Sequence, residues 1–304
     1  MKTNRSLVSV EDLSTEELMD LFKLSTDMDR DLRSGKRLTE MQGKIMATLF
    51  YEPSTRTRLS FESAMRRLGG SVISVADPRS SSAAKGESLA DSIRVVSSYS
   101  DLIIIRHPLE GAAKLASRFS SVPVINAGDG SGQHPTQTLL DLYTIHREFG
   151  RIDDLTITVL GDLKYGRTTH SLLLALARFQ VRVNLVSPPI LKVPSHILDR
   201  VKSSLQMVET DSLESVIEDT DVLYVTRIQK ERFADMNEYR SVIGSYSVVR
   251  ETVDLMKQQS IILHPLPRVD EIDENVDNDK RARYFEQAAY GVPVRMALIH
   301  KVLE

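Results

Sequence analysis

The sequence has no cysteine and no tryptophan, and it has no long apolar run. Without thiols the chain cannot form a disulfide, a thiolate-ligated zinc site or a cysteine nucleophile. Its most apolar stretch, residues 172–177 (LLLALA), is far too short to cross a bilayer. Residues 1–14 contain no apolar core of signal-peptide length. These absences predict a cytoplasmic protein without a membrane partner.

A strong net charge is also lacking. The chain carries 39 basic and 42 acidic side chains, a formal charge of −3 at pH 7. This balance gives no global attraction for nucleic acid, so no nucleic-acid partner is expected. Any affinity for anions must therefore come from local clusters of arginine and lysine. The length of 304 residues is sufficient for two compact domains, each with its own core.

Apolar, strand-like runs alternate with amphipathic, helix-like stretches along the chain. The predicted strands are residues 45–51, 71–75, 102–105, 122–125, 155–160, 181–186, 222–226 and 261–266. The predicted helices are residues 59–68, 89–99, 112–119, 136–149, 169–179 and 293–303. Short connections in such an alternation are typical of parallel sheets with helices on both faces.

The alternation restarts near residue 155, which predicts an α/β fold of two doubly wound parallel-sheet domains. We expect residues 1–135, completed by the C-terminal helix 290–304, to form the first domain, and residues 150–289 the second. Ligands of open parallel sheets bind at the carboxyl ends of the strands. The active site is therefore expected in the crevice between the domains.

Polar and cationic side chains follow most of the predicted strands. They lie in residues 52–58 (EPSTRTR), 106–108 (RHP), 126–134 (NAGDGSGQH), 161–167 (GDLKYGR), 226–229 (TRIQ) and 264–268 (HPLPR). Arg56 opposes the dipole of the helix that follows it, because a helix N-terminus favours anions. Ser54 can cap this helix, but Thr57 stands where a capping box has glutamate. A bound phosphate would satisfy this N-terminus and neutralise Arg56.

Two other segments approach known motifs without matching them. Residues 161–168 (GDLKYGRT) nearly form a P-loop, but Arg167 replaces its lysine. Residues 273–277 (DENVD) begin like a calcium loop, yet Asn278 and Tyr284 stand at its glycine and glutamate positions. The histidines lack the HExxH spacing, and no GxSxG elbow is present. We expect no metal and no cofactor.

Four motifs taken together resemble the transcarbamoylase family. They are residues 54–58 (STRTR), 106–108 (RHP), 134–137 (HPTQ) and 264–267 (HPLP), and the likeness extends from about Glu52 to Arg295. Ornithine-using members carry a tryptophan-containing loop and HCLP, whereas this chain has residues 226–232 (TRIQKER) and HPLP. The resemblance therefore implies the aspartate-using branch. Such an enzyme transfers the carbamoyl group of carbamoyl phosphate to L-aspartate in pyrimidine biosynthesis, giving N-carbamoyl-L-aspartate and phosphate.

The resemblance also implies which residues bind each substrate. Those expected to bind carbamoyl phosphate are Ser54, Thr55, Arg56, Thr57, Ser81, Lys85, Arg106, His134, Gln137, Pro265 and Leu266. Those expected to bind aspartate are Lys85, Arg167, Arg227, Gln229 and Leu266. The catalytic residues implied are Arg56, Thr57, Lys85, Arg106, His134 and Gln137. Thr57, Arg106 and His134 would polarise the carbamoyl oxygen, while Gln137 and the carbonyls of Pro265 and Leu266 would bind the amide.

The same resemblance implies an assembly. Ser81 and Lys85 would reach into the site of a neighbouring subunit, and the resemblance implies a homotrimer with shared sites; Ala84 stands where many relatives have a second lysine. An ion-pair set would close the domains, made of Glu52, Arg167 and Arg232. Contacts between catalytic trimers would involve Lys164, Tyr165 and Glu238. A separate regulatory chain is a further partner that the sequence neither requires nor excludes.

Two alternative functions stay open at this point. One is a transcarbamoylase for another amine, such as ornithine, and the other is a non-catalytic module that binds anions. A P-loop NTPase is a distant third. His264 is expected to be structural, a structural role is at least as well supported for His107, and the role of Arg58 is open.

Overall fold

The computed structural model describes residues 6–75 and 86–304. Two compact units divide the chain, one made of Met1–Leu140 with Tyr290–Glu304 and the other of Asp141–Ala289. Each unit has a parallel sheet with helices packed against it. The predicted doubly wound α/β fold class is therefore confirmed. Among the described residues, no helix is long and apolar enough to cross a membrane.

The first unit contains a four-stranded sheet in the order β2-β1-β3-β4. Its strands are β1 (Ile45–Phe50), β2 (Ser71–Val75), β3 (Leu102–His107) and β4 (Val124–Asp129). Its helices are α1 (Thr15–Arg33), α2 (Thr55–Arg67), α3 (Leu89–Ser97) and α4 (Ala112–Phe119), after a short 3-10 turn at Val10–Asp12. The chain reverses its direction of winding between β1 and β3, so their carboxyl ends form the expected ligand-binding point of this sheet.

The second unit contains a five-stranded sheet in the order β7-β6-β5-β8-β9. Two long helices, α5 (Pro135–Phe149) and α10 (Tyr284–Leu303), contain the boundaries between the units. The strands are β5 (Thr156–Leu160), β6 (Arg182–Val186), β7 (Gln206–Thr210), β8 (Val222–Val225) and β9 (Ile261–Leu263). The remaining helices are α6 (Arg167–Leu176), α7 (Ser195–Val201), α8 (Met236–Val242) and α9 (Arg250–Asp254), with 3-10 turns at Pro189–Leu191, Ile217–Asp219, Lys230–Arg232 and Glu274–Asn278. Here the winding reverses between β5 and β8.

Buried apolar side chains stabilise both sheets. In the first unit, strand residues such as Leu49, Ile105 and Val124 are at most 2% exposed and pack in one cluster. In the second, Leu223 and Ile262 belong to a comparable buried cluster. Full burial of one such side chain stabilises a fold by about 1.5–3 kcal/mol. Strands covered on both faces need continuous apolar runs, which is the pattern that the sequence shows.

Three elements differ from the predictions for physical reasons. The predicted start of the last helix at Pro293 was wrong, because α10 begins at Tyr284 and holds this proline in its interior; proline is commonest in the first helical turn. Strand β7 was not predicted, since it is a largely exposed edge strand without an apolar run. Helix α2 begins at Thr55 rather than Leu59, so the STRTR segment lies inside its first turn.

A buried ion pair stabilises the second unit. Asp279 accepts hydrogen bonds from Nε and Nη2 of Arg281, at 2.8 and 2.9 Å, and both side chains are under 10% exposed. The hydrogen bond and charge of Arg281 lower the pKa of Asp279 to about 2. Asp279→Asn is expected to reduce the free energy of unfolding at pH 7 by about 3 kcal/mol, since it leaves Arg281 buried without its counter-charge.

The pH dependence follows from the sign of this shift. The folded pKa lies below the ordinary value, so the stabilisation is complete above about pH 4 and is lost as the pH falls towards 2. Urea unfolding between pH 7 and pH 3 should therefore show the wild type and Asp279→Asn converging. Asp199→Asn is the matched control, because Asp199 pairs with Lys202 at 2.6 Å with 62% of its side chain exposed. Equal losses for both variants would contradict the expectation.

Candidate active site

The carboxyl ends of β1 and β3 and the segment after β4 bring three of the predicted site residues together. Arg106 is the fifth residue of β3 and pairs in register with Phe50 of β1, so Glu52 lies beside it. Arg106 Nη2 donates to Glu52 Oε1 at 2.9 Å, and Nη1 donates to the carbonyl of Ala127 at 3.2 Å. His134 Nε2 lies 3.4 Å from the same Nη1. Arg106 and His134 are 8% and 5% exposed, so this is a buried cationic point at the end of the sheet.

The N-terminus of α2 begins a few residues after β1. Ser54 is its N-cap residue but makes no side-chain capping bond, and the first turn contains no acidic residue. The first amides of a helix have no intrahelical partner, so a 13-residue helix without a side-chain cap favours an anion there. Thr57 is buried, while Thr55 and Arg56 are exposed. The STRTR segment therefore has the geometry of an anion-binding helix start.

The neighbouring predicted residues fall into two groups. His134 directly precedes α5, and the amide of Gln137 donates to the carbonyl of His134 at 3.0 Å, so both lie at the start of that helix.

His107 and Arg58 instead support the fold. His107 Nδ1 accepts from the amide of Leu109 at 3.0 Å, and burial lowers the pKa of its imidazole. Arg58 lies 4.0 Å from Glu62, one helical turn further along α2.

The contact between Glu52 and Arg106 predicts a measurable competition. An anion that binds Arg106 must displace or share the donor that the Glu52 carboxylate occupies. Glu52→Gln keeps the shape and removes the charge, so it should tighten the binding of inorganic phosphate about fivefold, which corresponds to roughly 1 kcal/mol. Isothermal titration calorimetry with phosphate measures this. Glu62→Gln, whose carboxylate lies beside Arg58 on α2, is the control, and equal affinities in all three proteins would contradict the competition.

A buried carboxylate joins the two loops of the second unit that carry predicted aspartate-binding residues. Asp162 is fully buried, and its carboxylate accepts from the amides of Tyr165 at 2.9 Å and Gln229 at 3.3 Å. The amide of Asp162 donates to Thr226 Oγ1 at 3.1 Å. Burial raises the pKa of Asp162, and these amide bonds oppose the shift. The loops after β5 and β8 are thus fixed against each other by a residue that the sequence analysis missed.

A glycine makes this close approach of loops possible. Gly161 directly follows β5 with φ of 117°, in the region that favours glycine. A Cβ added there would lie 2.2 Å from the carbonyl oxygen of Thr226, a contact that no side chain tolerates. The signal for Asp162 was therefore present in the sequence: an acidic residue beside a glycine at the end of a strand rich in β-branched and apolar residues.

The cationic side chains of the second unit are held in different ways. Arg227 forms a two-point pair with the carboxylate of Glu231, with one of its contacts at 3.2 Å. Burial alone would raise the pKa of Glu231, but the hydrogen bond and charge of Arg227 outweigh it and lower that pKa. Arg167 is the first residue of α6 and is 9% exposed. Arg232 ends the 3-10 turn that follows Gln229 and is half-buried.

The segment after β9 carries the two carbonyls expected to bind an amide. Leu266 has φ of 55°, which is unusual for a residue other than glycine, and the bond to Pro267 is cis. His264 is 2% exposed, and its Nδ1 accepts from the amide of Leu266 at 2.8 Å. This contact agrees with the structural role expected for His264. Pro265 and Leu266 are half-buried.

The structure does not test the roles predicted for the remaining residues. Ser81 and Lys85 lie outside the described residues, and the closure set of Glu52, Arg167 and Arg232 includes residues of both units. Lys164 lies over the ring of Tyr165, with 5.0 Å between Nζ and the ring centre, and Glu238 lies on α8. In residues 6–75 and 86–304, no group of three or more histidine, aspartate or glutamate side chains is placed to hold a metal ion.

Comparisons with known proteins agree across the whole chain. Residues 5–147 match the family model described as the carbamoyl-P binding domain of aspartate/ornithine carbamoyltransferase, and residues 153–302 match its Asp/Orn binding domain. The aspartate carbamoyltransferase catalytic subunit of Thermoplasma acidophilum is 65% identical over 303 residues, which cover 100% of this chain and 99% of that one.

Solved structures give the same result. The catalytic subunit of M. jannaschii aspartate transcarbamoylase is 55% identical with a TM-score of 0.91, and the match covers 98% of this chain and 97% of that one. Aspartate transcarbamoylase from Trypanosoma cruzi, in complex with carbamoyl phosphate and aspartate, is 42% identical with a TM-score of 0.95, covering 99% and 97%. The predicted family is confirmed: this chain belongs to the aspartate/ornithine carbamoyltransferase family.

Proposed function

We propose that this chain transfers the carbamoyl group of carbamoyl phosphate to the amine of L-aspartate, giving N-carbamoyl-L-aspartate and phosphate for pyrimidine biosynthesis. The observation that carries the proposal is the buried Arg106 beside His134, next to an α2 N-terminus without a side-chain cap. Relatives named aspartate carbamoyltransferase and sharing 65% identity over the full length support the choice of reaction.

The first unit offers donors suited to carbamoyl phosphate. The phosphate, a dianion, would accept from the first amides of α2 and from Ser54, Thr55, Arg56 and Thr57, with Ser81 and Lys85 supplied by a neighbouring subunit. Charge-assisted bonds of this kind are about twice as strong as neutral ones. Gln137, together with the carbonyls of Pro265 and Leu266, would orient the carbamoyl amide.

The chemistry needs no covalent intermediate with the protein. The aspartate nitrogen attacks the carbamoyl carbon, a C–N bond forms, and the electron pair of the carbonyl moves to its oxygen. Thr57, Arg106 and His134 would stabilise that oxyanion, and one such donor typically contributes about a hundredfold to a thousandfold in rate. The intermediate then collapses, the bond to the phosphate oxygen breaks, and the departing phosphate takes the proton from the amine.

The second unit offers cations suited to a dicarboxylate. Arg167 and Arg227 would each bind a carboxylate through the planar guanidinium fork, with Gln229, Lys85 and Leu266 assisting. The structural support is the Asp162 junction, which fixes the loop of Gln229 against the loop that leads into Arg167. The side chain of ornithine ends in a cation, which these arginines would repel, so aspartate is favoured over ornithine.

We further propose the assembly that the resemblance implies. Residues 1–135 with helix 290–304 would form the carbamoyl-phosphate domain and residues 150–289 the aspartate domain, closing through Glu52, Arg167 and Arg232. The two compact units, divided after Leu140 and before Tyr290, support this division. A cytoplasmic homotrimer with shared sites is proposed on the resemblance alone. The same holds for the contacts between catalytic trimers, which would involve Lys164, Tyr165 and Glu238. A regulatory chain would be an additional partner.

A radiolabel assay tests the function. Purified protein, shown to be folded by circular dichroism, is incubated with labelled carbamoyl phosphate and either aspartate or ornithine. We expect labelled N-carbamoyl-aspartate from the first mixture and no citrulline from the second. Citrulline alone would identify the ornithine enzyme, and phosphate binding without either product would identify an anion-binding module. Either of those results overturns the proposal.

A further inference from the structure

We propose that His264 is a positioning residue, whose Nδ1 fixes the backbone of Leu266 so that the carbonyls of Pro265 and Leu266 face the carbamoyl amide. We also propose that Asp141, Glu271 and Gln287 act by holding His264. This inference rests on the proposed function and names residues to which no role in the reaction was assigned above. All of them belong to the second unit.

The hydrogen bonds around the imidazole determine where its proton is. Nδ1 accepts from the amide N–H of Leu266 at 2.8 Å, so Nδ1 carries no proton. The ring proton must then be on Nε2, which lies 2.6 Å from Glu271 Oε1 and donates to it. Burial alone would raise the pKa of Glu271, but the bond from His264 outweighs it and lowers that pKa, so Glu271 remains an acceptor. His264 therefore bridges a carboxylate and a backbone amide.

The backbone that His264 holds needs such a restraint. Leu266 has φ of 55°, a left-handed conformation that is unfavourable for a residue with a side chain. Pro265 and Pro267 have no N–H group, and the N–H of Leu266 is bonded to His264. The only backbone hydrogen-bonding groups left in residues 265–267 are carbonyl oxygens. A row of acceptors without donors is the surface that an NH₂ group requires.

His264 is held from its other side by a buried chain of hydrogen bonds. The backbone amide of His264 donates to Gln287 Oε1 at 2.8 Å, and Gln287 Nε2 donates to Asp141 Oδ1 at 2.6 Å. The hydroxyl of Tyr224 donates to Asp141 Oδ2 at 2.8 Å. Gln287 is 1% exposed, and Asp141 and Tyr224 are fully buried. Residues of α10, α5 and β8 thus define the position of the histidine.

The second oxygen of Glu271 ties down the chain beyond the carbonyls. Glu271 Oε2 accepts from the amides of Val269 at 3.0 Å and Asp270 at 3.1 Å. The segment from His264 to Glu271 is therefore a closed loop, with His264 bonded to Glu271 at its base. Buried networks in which every polar group is satisfied specify one conformation. Carbonyl oxygens in such a loop are fixed before the substrate arrives, which reduces the cost of orienting it.

A pair of substitutions separates positioning from stability. His264→Asn keeps an oxygen near the position of Nδ1, which can accept the Leu266 amide as in an Asx turn, but it cannot reach Glu271. His264→Gln keeps a donor near the position of Nε2 for Glu271 but has no acceptor for Leu266. Each variant loses one of the two bonds, so similar losses of melting temperature are expected. Only His264→Gln releases the backbone of Leu266.

The expected kinetic result is a split between the two variants. kcat/KM for carbamoyl phosphate should fall about 10-fold to 100-fold in His264→Gln, because the carbonyls lose their fixed orientation when the Leu266 amide loses its acceptor. In His264→Asn it should stay within about fivefold of the wild type. Equal losses in both variants, or losses that follow melting temperature, would overturn the inference. An inactive wild type would instead refute the proposed function.

A measurement on the wild type tests the inference without activity or variants. Nitrogen-15 NMR of histidine-labelled protein reports which ring nitrogen of each imidazole carries the proton. For His264 we expect the tautomer protonated at Nε2, as its two hydrogen bonds require. Protonation of Nδ1 would remove the acceptor for the Leu266 amide. That result would overturn the inference whatever the enzyme's turnover.

Discussion

Arg106→Ala is expected to lower kcat/KM for carbamoyl phosphate by about a thousandfold. Two effects combine: the oxyanion and phosphate lose a buried donor, and the Glu52 carboxylate, left without the cation that lies 2.9 Å away, repels the anionic substrate. Truncating one partner of a buried, hydrogen-bonded charge pair costs about 2–5 kcal/mol, and 4 kcal/mol is roughly a thousandfold. Steady-state kinetics with saturating aspartate measure the loss.

Two further variants make that result specific. Arg106→Lys keeps the charge but cannot contact Glu52, Ala127 and a ligand through one planar fork, so it should retain only part of the activity. Arg66→Ala removes an exposed arginine from the opposite end of α2 and should leave kcat/KM within about twofold of the wild type. If Arg106→Ala retains more than a tenth of the wild-type value, Arg106 has no place in the chemistry.

Arg227→Ala is expected to reduce kcat/KM for aspartate by a similar factor while leaving the affinity for carbamoyl phosphate unchanged. The two-point pair with Glu231 holds the guanidinium in one orientation, so its geometry is set before aspartate binds. Loss of a charged, oriented donor to a carboxylate costs about 2–5 kcal/mol. Glu231→Gln keeps Arg227 but weakens its restraint, and a loss of about tenfold is expected.

The binding of carbamoyl phosphate alone gives this prediction its control. Equilibrium binding of carbamoyl phosphate, measured without aspartate, should agree within about twofold between Arg227→Ala and the wild type. Arg182→Ala, an exposed substitution at the first residue of β6, should change neither quantity. A parallel loss of carbamoyl-phosphate affinity in Arg227→Ala would show that this residue supports the fold rather than aspartate binding.

Much of this architecture follows from simple patterns in the sequence. The apolar runs at residues 45–50, interrupted only by Thr48, and at residues 102–105 are buried central strands, because strands covered by helices on both faces need mostly apolar side chains. The polar segments after them lie at strand ends, which is where Arg106 and His134 come together. The absence of a full capping box at α2 was also predictable, since Thr57 replaces its glutamate, but the missing side-chain bond of Ser54 was not.

The contacts that fix the site were not predictable, because they join residues far apart in the chain. The pairing of Glu52 with Arg106 depends on the register of β1 against β3. The bond from Gln287 to Asp141 spans 146 residues and depends on the packing of two helices. No local pattern marks such partners. Asp162 is the exception, since an acid between a buried strand and a glycine-bounded loop is itself a local signal.

We propose that the cations of the two units bind the two ends of one substrate pair. Calorimetric titration with N-(phosphonacetyl)-L-aspartate tests it most directly, because that molecule joins a phosphonate to an aspartate. We predict one molecule bound per chain, at least about a hundredfold more tightly than a simple phosphonate or succinate. Arg106→Ala and Arg227→Ala should each abolish that advantage. Binding no tighter than that of the phosphonate alone, or unchanged in either variant, would contradict the account.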